Sequence, residues 1–139
     1  MEIKPLIQES YLLRRVFVSD DIVRALDNLS RHTNVPRKDF KFKSGATFNG
    51  WVVPQQSEVQ EAKILKDGRI VYDGMAHPLG VIANSSSFVG KISKEELLKH
   101  VFSAPKRPKA IPFHFRLQYR PWESEWGFCM PHELKTSLV

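Results

Sequence analysis

The stretch Ala62-Lys63-Ile64-Leu65-Lys66-Asp67-Gly68-Arg69-Ile70-Val71-Tyr72 decides the fold. Two β-prone runs flank Asp67-Gly68, a pair that suits a two-residue hairpin loop because both central residues take positive φ. An antiparallel hairpin is predicted here. Working upstream, Phe40 and Phe42 alternate with Lys41 and Lys43, Ser44-Gly45 reads as a turn, and Trp51-Val52-Val53 forms a short apolar run before Pro54. That period of two predicts further short strands. Downstream, Val81-Ile82 reads as one more, ahead of the Ser85-Ser86-Ser87 loop. Phe113, Phe115 and Leu117 alternate with His114 and Arg116, the pattern of a half-buried strand with its phenylalanines turned to the core.

Two helices complete the pattern. Ser19 to Arg31 has a plausible N-cap in Ser19, carboxylates at Asp20 and Asp21 in the first turn, and Arg31 and His32 at the far end. Ile22, Val23, Leu26 and Leu29 share one face, so this helix covers something, and Asn34 and Pro36 end it. Tyr11 to Val18 fits helix and strand equally well. Ser93-Lys94-Glu95-Glu96 is a capping box in which Ser93 serves the backbone N–H of Glu96 and the Glu96 carboxylate reaches back. Leu97, Leu98, Val101 and Phe102 extend that helix over about 94–102. Pro105, Pro108 and Pro112 then break the chain into an extended connector.

The expected class is α+β: short, largely antiparallel strands including the Asp67-Gly68 hairpin, an N-terminal helix, and a second short helix near 94–102. A chain of 139 residues suits a single domain. Within it, an N-terminal helical segment is expected to about residue 36 and an α+β domain over about 37–134.

Composition excludes several classes. Apolar residues make up 42% and charged residues 26%, which speaks against wholesale disorder. One cysteine excludes an intramolecular disulfide framework and fits a reducing compartment. No run approaches the ~20 apolar residues of a membrane span or the length of a signal peptide, so no membrane association and a cytoplasmic location are expected. Twenty-one Lys and Arg against fifteen Asp and Glu leave a net charge of +6, with a pI near 9.6. Such a balance favours anionic partners.

The candidate chemistry is sparse. Cys129-Met130-Pro131-His132 has the gap of half a zinc site, but the chain holds no second cysteine. His132-Glu133 begins a metalloprotease helix motif that fails at Thr136, where the second histidine would stand. Phe128 and Met130 flank Cys129 and favour an inert, buried thiol. No glycine pattern cradles a phosphate. No catalytic residue and no metal ligand are therefore assigned. From Lys106 to Arg120 the chain carries Lys106, Arg107, Lys109, Arg116 and Arg120 with no carboxylate, interleaved with Phe113, Phe115 and Tyr119. Lys106, Arg107, Arg116, Arg120 and Trp122 are the expected contact residues for a ligand or a neighbouring domain. Of the two nearby tryptophans, Trp126 is expected to be buried and Trp122 exposed.

Ile111-Pro112-Phe113, Tyr119-Arg120-Pro121-Trp122 and Trp126-Gly127-Phe128-Cys129 together resemble an uncharacterised domain of bacterial and archaeal aminopeptidase-like proteins, often labelled polysaccharide-biosynthesis proteins. Gly50-Trp51-Val52-Val53-Pro54, Glu61-Ala62-Lys63-Ile64 with Asp67-Gly68, Ser93 to His100, and Arg24-Ala25-Leu26 resemble further blocks of that family, in order. The resemblance covers about residues 19–134. It implies a non-catalytic accessory domain beside a zinc-exopeptidase fold, whose His, Asp and Glu ligands would follow the Trp126–Cys129 block. No cofactor is implied for this chain, and zinc only for that peptidase domain, in cis or in trans. The resemblance also implies an N-terminal fragment of a longer protein. One departure stands out: the family's Leu-His before its central strand is Leu79-Gly80 here, with His77 earlier. The competing expectation is a free-standing basic module that binds nucleic acid or an anionic glycan.

Overall fold

A computed structural model describes residues 3–15, 18–115 and 123–138. The chain divides into two compact units, Met1–Glu58 and Val59–Val139.

The first unit pairs two helices. Helix α1 spans Ile3–Ser10 and α2 spans Asp20–Thr33. Ser19 sits at the N-cap in extended conformation, but its hydroxyl donates to the Arg14 carbonyl at 2.7 Å instead of capping the helix. Asp21, in the first turn, accepts the Arg14 N–H at 2.9 Å and so ties the preceding segment to the helix start. Asn34 ends α2 in the left-handed region, its N–H returned to Ser30 O. The α1–α2 contact is polar: the Asn28 amide donates to Glu9 O at 3.3 Å and Ser10 Oγ at 3.2 Å, and its own oxygen accepts from Arg31. Beyond α2, Phe40 to Lys43 forms no strand, contrary to the alternation. The hairpin lies further on, with β1 at Thr47–Phe48 and β2 at Trp51–Val52 joined by Asn49-Gly50, both at positive φ.

The second unit opens with the predicted hairpin. Strand β3 is Lys63–Lys66 and β4 is Arg69–Asp73, antiparallel, with Ile64 opposite Tyr72 and Leu65 opposite Ile70. Asp67 and Gly68 turn the chain at φ of 51° and 76°. Helix α3 spans Lys94–Lys99 and is shorter than predicted. His100 leaves helical geometry, and Val101–Phe102 become strand β5. Strand β6, Phe128–Cys129, pairs with β5 in parallel, unlike the antiparallel hairpins. Its other edge meets Val81 in a single bridge, so Val81-Ile82 contributes a bridge where a strand was expected. Ile111 to Phe115 has no strand character either, and Phe113 is 55% exposed, so the expected core strand fails over its described part. Helix α4, His132–Ser137, follows.

The core of this unit is Ile64, Val101 and Met130, flanked by Val71, Tyr72, Leu97, Phe128, Leu134 and Leu138. Burying each such side chain stabilises by about 2 kcal/mol. The α+β class holds, with its N-terminal helices and a core organised around the β5–β6 seam.

Candidate functional site

The basic stretch resolves into a double turn. Arg107 N–H donates to Ala104 O and Ala110 N–H to Arg107 O, each at 2.9 Å. Pro105 and Pro108 occupy the second position of the two turns, where their fixed φ is favourable. Lys106, Arg107 and Lys109 are all exposed there. The Glu133 N–H donates to Pro108 O at 3.3 Å and ties the double turn to the start of α4. Arg116, Arg120 and Trp122 lie outside the described residues, so the structure brings together two of the five expected contact residues. Phe113 packs edge-on to Phe115 at 6.4 Å between centroids.

Three histidines line the β5–β6 seam: His132, read from the sequence as half a zinc site with Cys129, and His100 and His114, the two residues weighed as its third ligand. His100 stacks on Trp126 at 3.8 Å between ring centroids, and Phe88 stacks on the same indole at 4.3 Å. His100 Nδ1 also lies 2.9 Å from Trp126 O, and its Nε2 lies 3.4 Å from Glu96. Trp126 is half-buried inside a three-ring stack, where burial was expected. His114 stacks on Phe102 at 3.6 Å and pairs with Glu125 at 3.3 Å. His132 Nδ1 lies 2.9 Å from Ser103 Oγ. A hydroxyl beside an imidazole invites comparison with a nucleophile and its base. Among the described residues, however, no carboxylate pairs with His132. These pairs connect sequence-distant segments across the seam. The one local signal was an excess of aromatic residues near His100 and His114.

Cys129 is fully buried at 0% exposure. Burial pushes its thiol up to about 11, which removes the thiolate a nucleophile or metal ligand would need. His77 accepts the Leu79 N–H at 3.1 Å within a local turn. Among the described residues no group of three or more His, Cys, Asp or Glu side chains could hold a metal ion. The described residues therefore do not fit a zinc site. No helix among them is long and apolar enough to cross a membrane.

One open cleft of about 190 Å³ lies against the hairpin, walled by Ile64, Leu65, Val71, Ile92 and Leu97, with Lys66 and Lys94 at its polar side. It has an apolar floor and no assembled catalytic group.

The described residues form an α+β fold divided between two units. Residues 56–139 match the family model described as a domain of unknown function, DUF2172, and the chain belongs to that family. No curated protein matches the sequence. Among solved structures, the chain is similar to the crystal structure of a "putative peptidase" from Clostridium acetobutylicum, with a TM-score of 0.82 at 22% identity. That similarity covers 99% of this chain and 31% of the Clostridium chain, so this chain spans about a third of its neighbour's length.

Proposed function

We propose that the chain acts as a non-catalytic accessory domain of a zinc aminopeptidase-like protein, packed beside the active site and shaping substrate access. The observation that carries this reading is the structural neighbour, which holds nearly all of this fold within a chain about three times as long. The Trp126-Gly127-Phe128-Cys129 block, half-buried to buried at the β5–β6 seam, adds the sequence resemblance to that family. Zinc belongs in this reading to the peptidase body. Lys106, Arg107, Arg116, Arg120 and Trp122 would form the contact surface towards that body, in a cytoplasmic protein linked to polysaccharide biosynthesis.

The test compares the peptidase-like polypeptide that contains this chain with a version in which a short linker replaces residues 59–139. Turnover of an aminoacyl chromogen and of longer peptides is measured for both. Peptide selectivity is expected to shift about tenfold while chromogen turnover is retained. Identical profiles for all substrates would remove the accessory role.

A second reading, a module for nucleic acid or an anionic glycan, is favoured by the exposed double turn at Lys106, Arg107 and Lys109. Affinity for heparin that falls steeply with salt is its signature.

A further inference from the structure

The open cleft of about 190 Å³ runs along one edge of the β3–β4 hairpin. Ile64, Leu65 and Lys66 all line it, while β4 contributes only Val71. Consecutive strand residues point to opposite faces, so three in a row mark the β3 edge and not one face of the sheet. That edge is free. The sheet has two strands, and among the described residues no backbone group outside β4 bonds to Lys63–Lys66. An unpaired edge offers its N–H and C=O groups to another extended chain.

Across from the edge, Ile92, Leu97 and Leu138 form an apolar wall. An apolar cavity of about 150 Å³ holds a benzene ring, so this volume suits one bulky apolar side chain. None of the lining residues is aromatic, which leaves no ring for a base or a sugar to stack on.

The rim is cationic. Lys66 lies at the cleft, Arg69 closes the same turn, and Lys91 precedes Ile92; all three are exposed and form no ion pair among the described residues. Asp67, in the turn, stands against these three cations. The carboxylates at the start of α3 are engaged elsewhere, Glu95 with Ser93 and its own N–H, Glu96 with Lys99 at 2.7 Å. A basic edge repels a second copy of this chain, whose net charge is +6, and attracts an acidic strand.

We infer that this edge and cleft bind an extended peptide that places one bulky apolar side chain in the cleft and a flanking carboxylate against Lys66. The peptide backbone adds a third strand beside β3. This rests on the proposed accessory role and adds the substrate class: acidic peptides that carry a bulky apolar residue.

Titration of the 139-residue chain with three acetylated hexapeptides tests it, read from the amide shifts of Leu65, Ile92 and Leu97. The first peptide carries Phe between glutamates. The second has lysines in place of the glutamates, and the third is the first with alternate amides N-methylated. The first is expected to shift those amides to saturation. The other two should bind roughly tenfold more weakly, one through charge repulsion and one through lost strand pairing. Lys66→Glu, at an exposed position, should reverse the preference between the first two peptides and leave the amides of the β5–β6 seam in place.

Equal binding of the first and third peptides would overturn the inference, and so would a charge preference that Lys66→Glu leaves unchanged. Heparin that shifts the same amides at lower concentration than the first peptide would make the site a polyanion patch instead. A doubled mass, with those amides shifting on concentration alone, would make a second copy the occupant. If the first peptide binds as expected while linker replacement of residues 59–139 leaves substrate selectivity unchanged, the accessory role fails and the peptide site stands. If the replacement shifts selectivity and no peptide reaches the cleft, the accessory role stands and the peptide site fails.

Discussion

The hydroxyl of Tyr72 donates a 2.6 Å hydrogen bond to the carbonyl oxygen of Cys129, joining β4 to β6 across 57 residues of chain. This bond anchors the predicted hairpin to the seam, with the Tyr72 ring edge-on to Phe128 at 5.9 Å. Tyr72→Phe keeps the ring and removes the donor, so it should cost about 1 kcal/mol in a denaturant titration. An unchanged midpoint would mean that water replaces the hydroxyl freely.

The same pair sets an alkaline limit. Burial first, then the neighbouring Cys129 and Asp73, pushes the Tyr72 hydroxyl from 10 up to about 12. Burial pushes the Cys129 thiol from 9 up to about 11. Both groups ionise more readily in the unfolded chain. Their contribution to stability is therefore complete below pH 9 and is lost as the pH climbs from 9 to 12. Urea midpoints should fall across that window, and Tyr72→Phe should flatten the fall between pH 10 and 12. A slope that the substitution leaves untouched would assign the loss to other groups.

Cys129 fills space at the seam. Cys129→Ala should cost on the order of 1 kcal/mol. Labelling of the native thiol at pH 8 should proceed only as fast as the domain opens. Rapid labelling would contradict its burial.

Gly127 is required by a close approach. A Cβ there would lie 2.5 Å from the His100 carbonyl oxygen and 3.0 Å from the Phe102 ring, both on the facing segment. Gly127→Ala must push β6 away from β5 and should cost about 3 kcal/mol. A thermal midpoint within a degree of the parent would show that the seam opens cheaply.

Lys106→Glu combined with Arg107→Glu should leave stability within about 0.5 kcal/mol, because both side chains are exposed on the double turn. Binding to the peptidase-like body, or to heparin, is expected to weaken. Full binding to both would take this turn out of the contact surface.

The sequence revealed structure where the cause was local. Asp67-Gly68 fixed a hairpin because the two turn residues themselves carry the unusual φ values. Asn49-Gly50 carried the same signal four residues beyond Gly45, and the stronger pull of the Phe40–Lys43 alternation drew the strand to the wrong place. Ser93 does cap α3, accepting the Glu96 N–H at 3.2 Å. The returning carboxylate is that of Glu95, held below its usual range by its own backbone N–H and then by Ser93. Glu96 turns instead to Lys99 at 2.7 Å and is lowered chiefly by that ammonium. The β5–β6 seam was out of reach, since two-residue strands have no period to read and pair only through tertiary contacts. The His100–Trp126 and Ser103–His132 pairs depend on that seam and were hidden with it.

Parallel pairing of Val101–Phe102 with Phe128–Cys129 also orders events in time. The β3–β4 hairpin closes over two residues and can form in microseconds, whereas β6 reaches β5 only after a loop of about 25 residues has been drawn shut. Loop closure of that kind is a late step on the way to the native state. Weakening the seam should therefore speed unfolding far more than it slows folding, and the lifetime of the folded domain is set where its two shortest strands meet.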